Sequence, residues 1–151
     1  MFAIIRLRGS AGINRNVEDT LQMLRLKAVN NCVIVQETVD YKGMLEKVKD
    51  SITWGEIDKD VLISMLKKRL RLKSNEKINE KEFKSVTGYE SEKLVDMLIG
   101  GKIKLKDLEK IEPVFRLKQP SKGFKSIKEH YPKGDLGYRG KEINELLKRM
   151  I

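Results

Sequence analysis

Phe2-Ala-Ile-Ile-Arg-Leu-Arg8 is the stretch that decides the fold. Its apolar side chains alternate with Arg6 and Arg8, and a period of two predicts a half-buried strand with both arginines on its wet face. Two more strand signals follow, at 32–35 and 52–57, with a helical pattern in each interval. Strand, helix, strand, helix, strand in under 60 residues predicts an α+β or split-βαβ sandwich, with its helices on one face of a small sheet.

The pattern becomes helical from Asp58. We expect Asp58 to cap one helix, Asn79 to open a capping box before a second, and Ser91 to start a third that Gly100 ends. The residues expected to begin the two earlier helices are Asn16 and Asp40. These signals make 58–112 a helical insertion.

The last segment, 113–151, combines a short strand signal, a basic arm and an amphipathic helix. That helix carries an apolar stripe at i, i+3, i+4 and i+7, formed by Ile143, Leu146, Leu147 and Met150. We therefore predict three parts: a core at 1–57, the insertion at 58–112, and a basic C-terminal extension at 113–151 that returns to the core.

Composition excludes several classes of protein. The 151 residues are 40% hydrophobic and 36% charged, with a formal net charge of +10, which is typical of a folded protein with a wet surface. We find no apolar run long enough for a membrane span and no secretion signal. One cysteine, Cys32, and one histidine, His130, argue against a disulfide or a metal cluster and favour a reducing cytoplasm. We expect no cofactor and no small-molecule substrate.

Charge is concentrated in the C-terminal extension. Residues 113–151 hold ten Lys or Arg and four Asp or Glu, so they carry +6 of the total charge. We expect this tail to bury little against its own body and its arm to become ordered on a polyanion, where each neutralised phosphate releases counterions. Phe124 and Tyr138, set among charges and glycines, favour nucleic acid. A solvated basic surface remains the alternative.

Two other segments are candidates for phosphate contact. The turn Gly9-Ser-Ala-Gly12, between Arg8 and Arg15, could hold a phosphate on backbone N–H groups near a helix start, or be an ordinary turn. The run Lys67-Lys-Arg-Leu-Arg-Leu-Lys73 is the densest basic cluster, and its alternative is a solvated helix end. For Phe124 and Tyr138, insertion against RNA and anchoring of the loop onto the protein both stay open. Trp54 is interpreted as core packing.

The ordered series of motifs resembles the archaeal branch of the ribosomal large-subunit L-thirty protein family, which has eukaryotic L-seven counterparts. The segments that carry the resemblance are Ile4-Ile-Arg-Leu-Arg-Gly-Ser10, Tyr41-Lys-Gly-Met44, Thr53-Trp-Gly-Glu56, Val114-Phe-Arg-Leu117, Pro120-Ser-Lys-Gly-Phe124, Gly134-Asp-Leu-Gly-Tyr-Arg139 and Ile143-Asn-Glu-Leu-Leu-Lys-Arg-Met150. One departure is the Lys118-Gln119 pair, where the family usually has His-Pro.

The resemblance implies a ferredoxin-like core and a structural, RNA-bound role in the large subunit, without catalysis. Expected partners are large-subunit rRNA and neighbouring ribosomal proteins; contact with the small 5S-type rRNA stays open. Together, the resemblance and the basic segments described above predict which residues contact RNA. These are Arg6, Arg8, Gly9, Ser10, Gly12, Arg15, Lys67, Lys68, Arg69, Arg71, Lys118, Lys122, Gly123, Phe124, Lys125, Tyr138 and Arg139.

Other functions have weaker support in the residues. His130 has no nucleophile motif to serve, and Walker, dinucleotide and HExxH motifs are missing, so we do not expect an enzyme. A DNA-binding regulator is the first alternative, because the helices at 80–86 and 91–99 superficially resemble a helix-turn-helix. Their exposed face mixes Glu92, Lys93 and Asp96, which suits a major groove poorly. A protein-interaction adaptor that uses the insertion is the second.

Overall fold

The structure, a computed structural model, describes residues 1–74, 76, 78 and 80–151, and of 80–82 only the backbone. The strands in this part of the chain are β1 (Phe2–Arg6), β2 (Asn31–Val35), β3 (Ile52–Glu56), β4 (Phe115–Arg116) and β5 (Gly137–Tyr138). The helices are α1 (Arg15–Met23), α2 (Val39–Lys47), α3 (Lys59–Arg69), α4 (Glu80–Thr87), α5 (Ser91–Ile99) and α6 (Ile143–Met150). Short 3₁₀ turns lie at Leu105–Asp107 and Gly140–Glu142. None of the described helices is long and apolar enough to cross a membrane.

The five strands form one sheet in the order β4-β2-β1-β3-β5. β1 lies at its centre and is antiparallel to both neighbours, with Phe2 opposite Val35 on one side and Glu56 on the other. β5 joins the outer edge of β3 in parallel, with Tyr138 opposite Trp54. The predicted α+β class with a strand-helix-strand-helix-strand core is confirmed.

Helices cover both faces of this sheet, so the expected half-exposed first strand is wrong. Phe2 and Ile4 point into an apolar cluster with α1 and α2, whereas Ala3 and Ile5 point into a second cluster with α3, α5 and α6. All five residues of β1 are buried. The sequence pattern accounted for the first face only; the helices from 58 onward and the last helix supply the cover for the second.

The C-terminal extension packs closely on the core, contrary to the prediction that it buries little. Val114, Phe115 and Leu117 are buried at its start, and Leu136 is buried beside β5. Thr53 Oγ1 donates a hydrogen bond to the Gly137 carbonyl at 3.0 Å, which ties the arm to β3. The predicted stripe of α6 is confirmed, since its four apolar residues are fully buried in the second cluster.

The insertion shares the core instead of forming a separate one. Leu94, Val95 and Leu98 of α5 lie in the same apolar cluster as Met65 and Leu66 of α3. This arrangement fixes the position of α3, and with it the basic last turn of that helix.

Two helix starts differ from the predicted ones by two residues each. Asn14 caps α1 through its side chain, which accepts a hydrogen bond from the Asn16 N–H, and Thr38 caps α2. Both residues lie two positions before the predicted cap. Each has the extended backbone conformation of a capping residue, and its side chain accepts a hydrogen bond from an N–H group of the first helical turn. Glu90 precedes α5. The predicted capping box at Asn79 lies outside the described residues.

Candidate nucleic-acid interface

Four separate chain segments meet at the end of the sheet where β1 ends and β2 and β3 begin. The Asn30 N–H donates to the Arg6 carbonyl at 2.8 Å, and the Leu7 N–H donates to the Ser51 carbonyl at 2.9 Å. The Leu117 N–H in turn donates to the Asn30 carbonyl at 3.1 Å. These bonds place the loops after β1 and β4, and those before β2 and β3, side by side.

The loop at 118–125 continues from this junction along the C-terminal end of α6. The Lys118 N–H donates to the Met150 carbonyl and the Ser121 N–H to the Arg149 carbonyl, both at 3.1 Å. Lys122 is held at a φ of 70°, an uncommon conformation for a residue with a Cβ, and its side chain is exposed. The loop therefore presents Lys118 and Lys122 next to the last turn of α6.

The last turn of α3 reaches the same place. Arg69 Nη2 donates to the carbonyl of Ile151 at 2.7 Å, and Lys68 and Lys148 line one shallow groove between the two helices. Two helix C-termini thus converge, and the negative end of each helix dipole favours the basic residues in its last turn. We call this surface the basic end; its residues are Arg8, Arg15, Lys67, Lys68, Arg69, Lys118, Lys122, Lys148 and Arg149.

Apart from Arg69, which is held by the Ile151 oxygen, the cations that define the basic end lack carboxylate partners among the described residues, whereas several other lysines and arginines are paired. No salt bridge joins any of them to an acidic group in the part of the chain that the structure describes. At the opposite end Lys42 pairs with Glu37 at 2.7 Å, and Lys59 pairs with Asp96 at 2.6 Å. Unneutralised charge at one end makes it the part of the surface best suited to a polyanion.

Arg6 is not part of this exposed surface, so the prediction that it points outward is wrong. Its side chain is 0% exposed beneath α1, where Nη2 lies 3.0 Å from Glu18 Oε2 and Nη1 donates to the Leu26 carbonyl at 2.7 Å. The hydrogen bonds from Arg6 hold the pKa of Glu18 below its ordinary value. Arg6 is a structural residue that supports the turn after β1.

The turn at 9–12 is closed by the same network. Arg6 Nη2 donates to Ser10 Oγ at 2.9 Å, and Gly12 is held at a φ of 73°. At the start of α1, the Val17 and Glu18 N–H groups already donate to the Asn14 carbonyl. At the helix start the N–H groups of Asn16, Val17 and Glu18 are therefore taken by Asn14, whereas no described bond uses the N–H groups of residues 9–12, so phosphate contact at this turn stays a prediction. Arg8 and Arg15 are exposed beside it.

Arg139 and Phe124 also point inward. Arg139 is 7% exposed, and its guanidinium lies 2.7 Å from Asp135 Oδ1 and donates to Thr53 Oγ1 at 3.0 Å. Phe124 is half-buried and packs against the main apolar cluster, which favours the anchoring alternative. The exposed role expected for Arg139 is wrong, because a buried carboxylate four residues away pairs with it.

Tyr138 is exposed but lies apart from the basic end. Its hydroxyl donates a hydrogen bond to Glu56, and its ring lies 6.1 Å from that of Trp54, centroid to centroid. The bond to Glu56 raises the pKa of the Tyr138 phenol to about 12. The carboxylate beside Tyr138 makes it a poor neighbour for a phosphate.

The remaining residues predicted to contact RNA also differ in exposure. Lys125 is exposed, with its N–H bound to Asp135 Oδ2 and its Nζ donating to the Pro132 carbonyl at 3.1 Å. Gly123 lies in the exposed loop, and Arg71 is half-buried beyond the end of α3. Lys148 and Arg149 were missed, although they lie on the polar face of a helix whose apolar stripe is evident in the sequence.

Other kinds of site find little support. Within 1–74, 76, 78 and 80–151, no group of three or more His, Cys, Asp or Glu side chains could hold a metal ion. Cys32 is fully buried, and this burial raises the pKa of its thiol to about 12, which makes the thiol inert. In the insertion, α5 buries Leu94, Val95 and Leu98 and exposes Glu92 and Asp96, a poor surface for a DNA groove.

Known proteins resemble this chain over its whole length. Residues 2–52 match the family model described as ribosomal protein L30p/L7e. The protein named large ribosomal subunit protein uL30 of Archaeoglobus fulgidus is 46% identical over 151 residues, which cover 99% of both chains. The protein of the same name from Thermoplasma volcanium is 48% identical over 153 residues, which cover 100% of this chain and 93% of the relative. That of Methanococcus maripaludis is 45% identical, covering 99% of both. The chain therefore belongs to the ribosomal protein L30p/L7e family.

Proposed function

We propose that this chain is a structural constituent of the large ribosomal subunit that binds folded rRNA through phosphate and shape contacts. Its family makes it a ribosomal protein and a structural component rather than an enzyme, located in the ribosome in the cytoplasm. The observation that carries the RNA-binding part is the basic end, where cations from three segments of chain lie together without carboxylate partners.

The geometry of the basic end suits a folded RNA backbone. Lysines and arginines at helix ends and in one short loop present point charges and planar donors at different heights, so they can follow phosphates across a groove. Aromatic rings on which bases could stack are missing from the residues that define this end. Recognition is therefore by phosphate position and shape, the usual mode for A-form RNA.

Each of the three predicted parts of the chain contributes residues to the basic end. The core at 1–57 supplies Arg8 and Arg15, the insertion at 58–112 supplies the last turn of α3, and the extension at 113–151 supplies the loop and the end of α6. The expected RNA partner is large-subunit rRNA, with the small 5S-type rRNA as a further candidate. Neighbouring ribosomal proteins contact the surface away from the basic end.

Salt dependence of RNA binding tests this proposal. In the full chain, Lys118, Lys122 and Lys148 are changed together to Gln, and binding to large-subunit rRNA is measured between low and moderate salt. Each lost phosphate contact lowers the slope of log affinity against log salt by about 0.7 to 0.9, so the triple variant should lower it by about 2 to 3.

A matched variant removes the same charge from elsewhere. Lys42, Lys102 and Lys141 lie away from the basic end, and their change to Gln should leave the slope nearly as it is. Equal losses of slope in the two triple variants would mean that RNA binding follows net charge alone. Equal slopes in all three proteins would remove the basic end as the interface.

A further inference from the structure

The outer edge of β2 is only half covered by β4. Asn31 and Cys32 pair with Arg116 and Phe115, and the same register sets Ile34 opposite Pro113. Proline has no N–H to donate, so the Ile34 C=O finds no ladder partner there. Beyond Cys32, the edge of β2 is open.

The alternation of the ladder shows which groups this open edge exposes. The Asn30 carbonyl, two residues before Cys32, accepts from the Leu117 N–H on the outer side of β2. Successive residues in an antiparallel strand point their N–H and C=O groups to opposite sides, so those of Ile34 also point outward. Among the described residues, no backbone bond from a loop or turn reaches either group of Ile34. Such an edge is a template for another strand.

A groove runs beside this edge, between β2 and the segment that follows α5. Its volume is about 270 Å³, and the apolar residues that line it include Met23, Ile34, Val35, Leu98 and Ile103. Met23 is 73% exposed. Gln36 closes one end, where its Nε2 donates to the Leu98 carbonyl at 2.8 Å. With apolar residues along part of its lining and one free backbone edge, the groove suits an extended chain better than a compact ligand.

The charge of the groove favours an acidic occupant. Arg25, Lys104 and Lys106 line it, whereas its described lining includes no Asp or Glu. It also lies towards the end of the sheet opposite the basic end, since it follows β2 away from Asn30. The groove is therefore separate from the surface assigned to rRNA.

We propose that this groove binds an extended acidic segment of a neighbouring protein, which adds to β2 as a further strand. The Ile34 N–H and C=O pair with the main chain of that segment, alternate apolar side chains fill the groove, and its carboxylates face Arg25, Lys104 and Lys106. The inference rests on the proposed function in one respect: the neighbour is another protein of the large subunit. RNA is the competing occupant, but it offers no alternating backbone donors and acceptors for a strand edge.

Photo-crosslinking in assembled large subunits tests the proposal with the full chain. A photoreactive residue replaces Met23 in one preparation and Ile127, a 43% exposed residue two positions after the loop at 118–125, in another. From Met23 we expect crosslinks to one extended acidic segment of one protein, mapped to its residues by mass spectrometry. From Ile127 we expect crosslinks to rRNA.

The two positions separate the possible failures. Crosslinks from Met23 to rRNA, or to a helix without acidic residues, or none, would overturn the groove proposal while rRNA crosslinks from Ile127 uphold the proposed function. If Ile127 also fails to reach rRNA, the proposed function is contradicted as well.

Charge reversal provides a second measurement. Changing Lys104 and Lys106 to Glu should lower the Met23 crosslink yield by about tenfold, because complementary charge at the rim guides association. Lys102 and Lys110 lie in the same segment but do not line the groove, and their change to Glu should leave the yield unchanged. If neither double variant changes the crosslink yield relative to the native chain, or if both lower it equally, the proposed electrostatic recognition is wrong.

Discussion

Replacing Glu18 by Gln should destabilise the protein strongly, because Glu18 neutralises a guanidinium that has no contact with solvent. The side chain of Arg6 is 0% exposed, and that of Glu18 is 23% exposed. The pair is joined by two bonds, at 3.0 Å to Oε2 and 3.3 Å to Oε1. In the variant the bonds persist in part, but the buried positive charge is no longer compensated.

The size of the effect follows from what Arg6 retains. Breaking a buried ion pair by removing one partner costs about 3 to 5 kcal/mol. Arg6 still donates to the carbonyls of Arg8 and Leu26, at 2.9 and 2.7 Å, and to Ser10 Oγ. These acceptors place the expected loss at the lower limit, about 3 kcal/mol of unfolding free energy.

Urea unfolding at pH 7 measures this loss. With a slope of about 2 kcal/mol per molar urea, the midpoint should fall by about 1.5 M. Glu46 pairs with Lys49 at 2.6 Å on the exposed surface, and changing Glu46 to Gln is the control that should leave the midpoint in place. If the two variants have the same midpoint, Arg6 does not depend on Glu18 and the structural role assigned to it is wrong.

The pH dependence of the same pair has a definite sign. The pKa of Glu18 is lowered from its ordinary value of 4.5, chiefly by the hydrogen bond from Arg6. A lowered pKa adds stability above the ordinary value, and this stability is lost as the pH falls through the folded-state pKa. The gap in stability between the native chain and the Gln variant should therefore be full at pH 7 and narrow below pH 4.5.

Two further predictions concern glycine packing and a tyrosine. A Cβ at Gly55 would lie 1.9 Å from the carbonyl oxygen of Gly140, so Gly55→Ala should lower the melting temperature by several degrees. Gly9 lies in open space, so Gly9→Ala should leave the melting temperature unchanged. Equal melting temperatures in the two variants would refute the close approach of β3 and the turn at Gly140. Ultraviolet titration should show the Tyr138 phenol ionising near pH 12, and Glu56→Gln should return it towards pH 10; an unchanged pKa in that variant would exclude the Glu56 bond as the cause.

Local periodicity was enough to predict the elements of the core. The alternation in β1 and the apolar stripe of α6 each depend on side chains within a few residues of one another, so the sequence displays them directly. What covers an element is a different matter. Arg6 alternates as an exposed strand residue would, but a carboxylate twelve positions later lies over it, and no local pattern reveals such a contact.

The basic end shows the same distinction at a larger scale. The predicted clusters at 67–73 and 118–125 are far apart in the chain, and the sequence did not indicate that α3 and α6 end at the same point. That convergence depends on the packing of both helices on one face of the sheet. β5 was missed for a related reason: its two residues have no periodicity, and they form a strand only because β3 offers a free edge.

Lysine reactivity in intact subunits tests the central claim, that the basic end is the surface covered by rRNA, most directly. The full chain, free and within purified large subunits, is treated with an amine-reactive reagent, and the modification of each lysine is measured by mass spectrometry. We predict that Lys118 and Lys122 lose most of their reactivity in the subunit and recover it after ribonuclease treatment, while Lys102 and Lys141 do not respond to ribonuclease. Full reactivity of Lys118 and Lys122 in the intact subunit, with ribonuclease-sensitive protection of Lys102 and Lys141, would contradict the account.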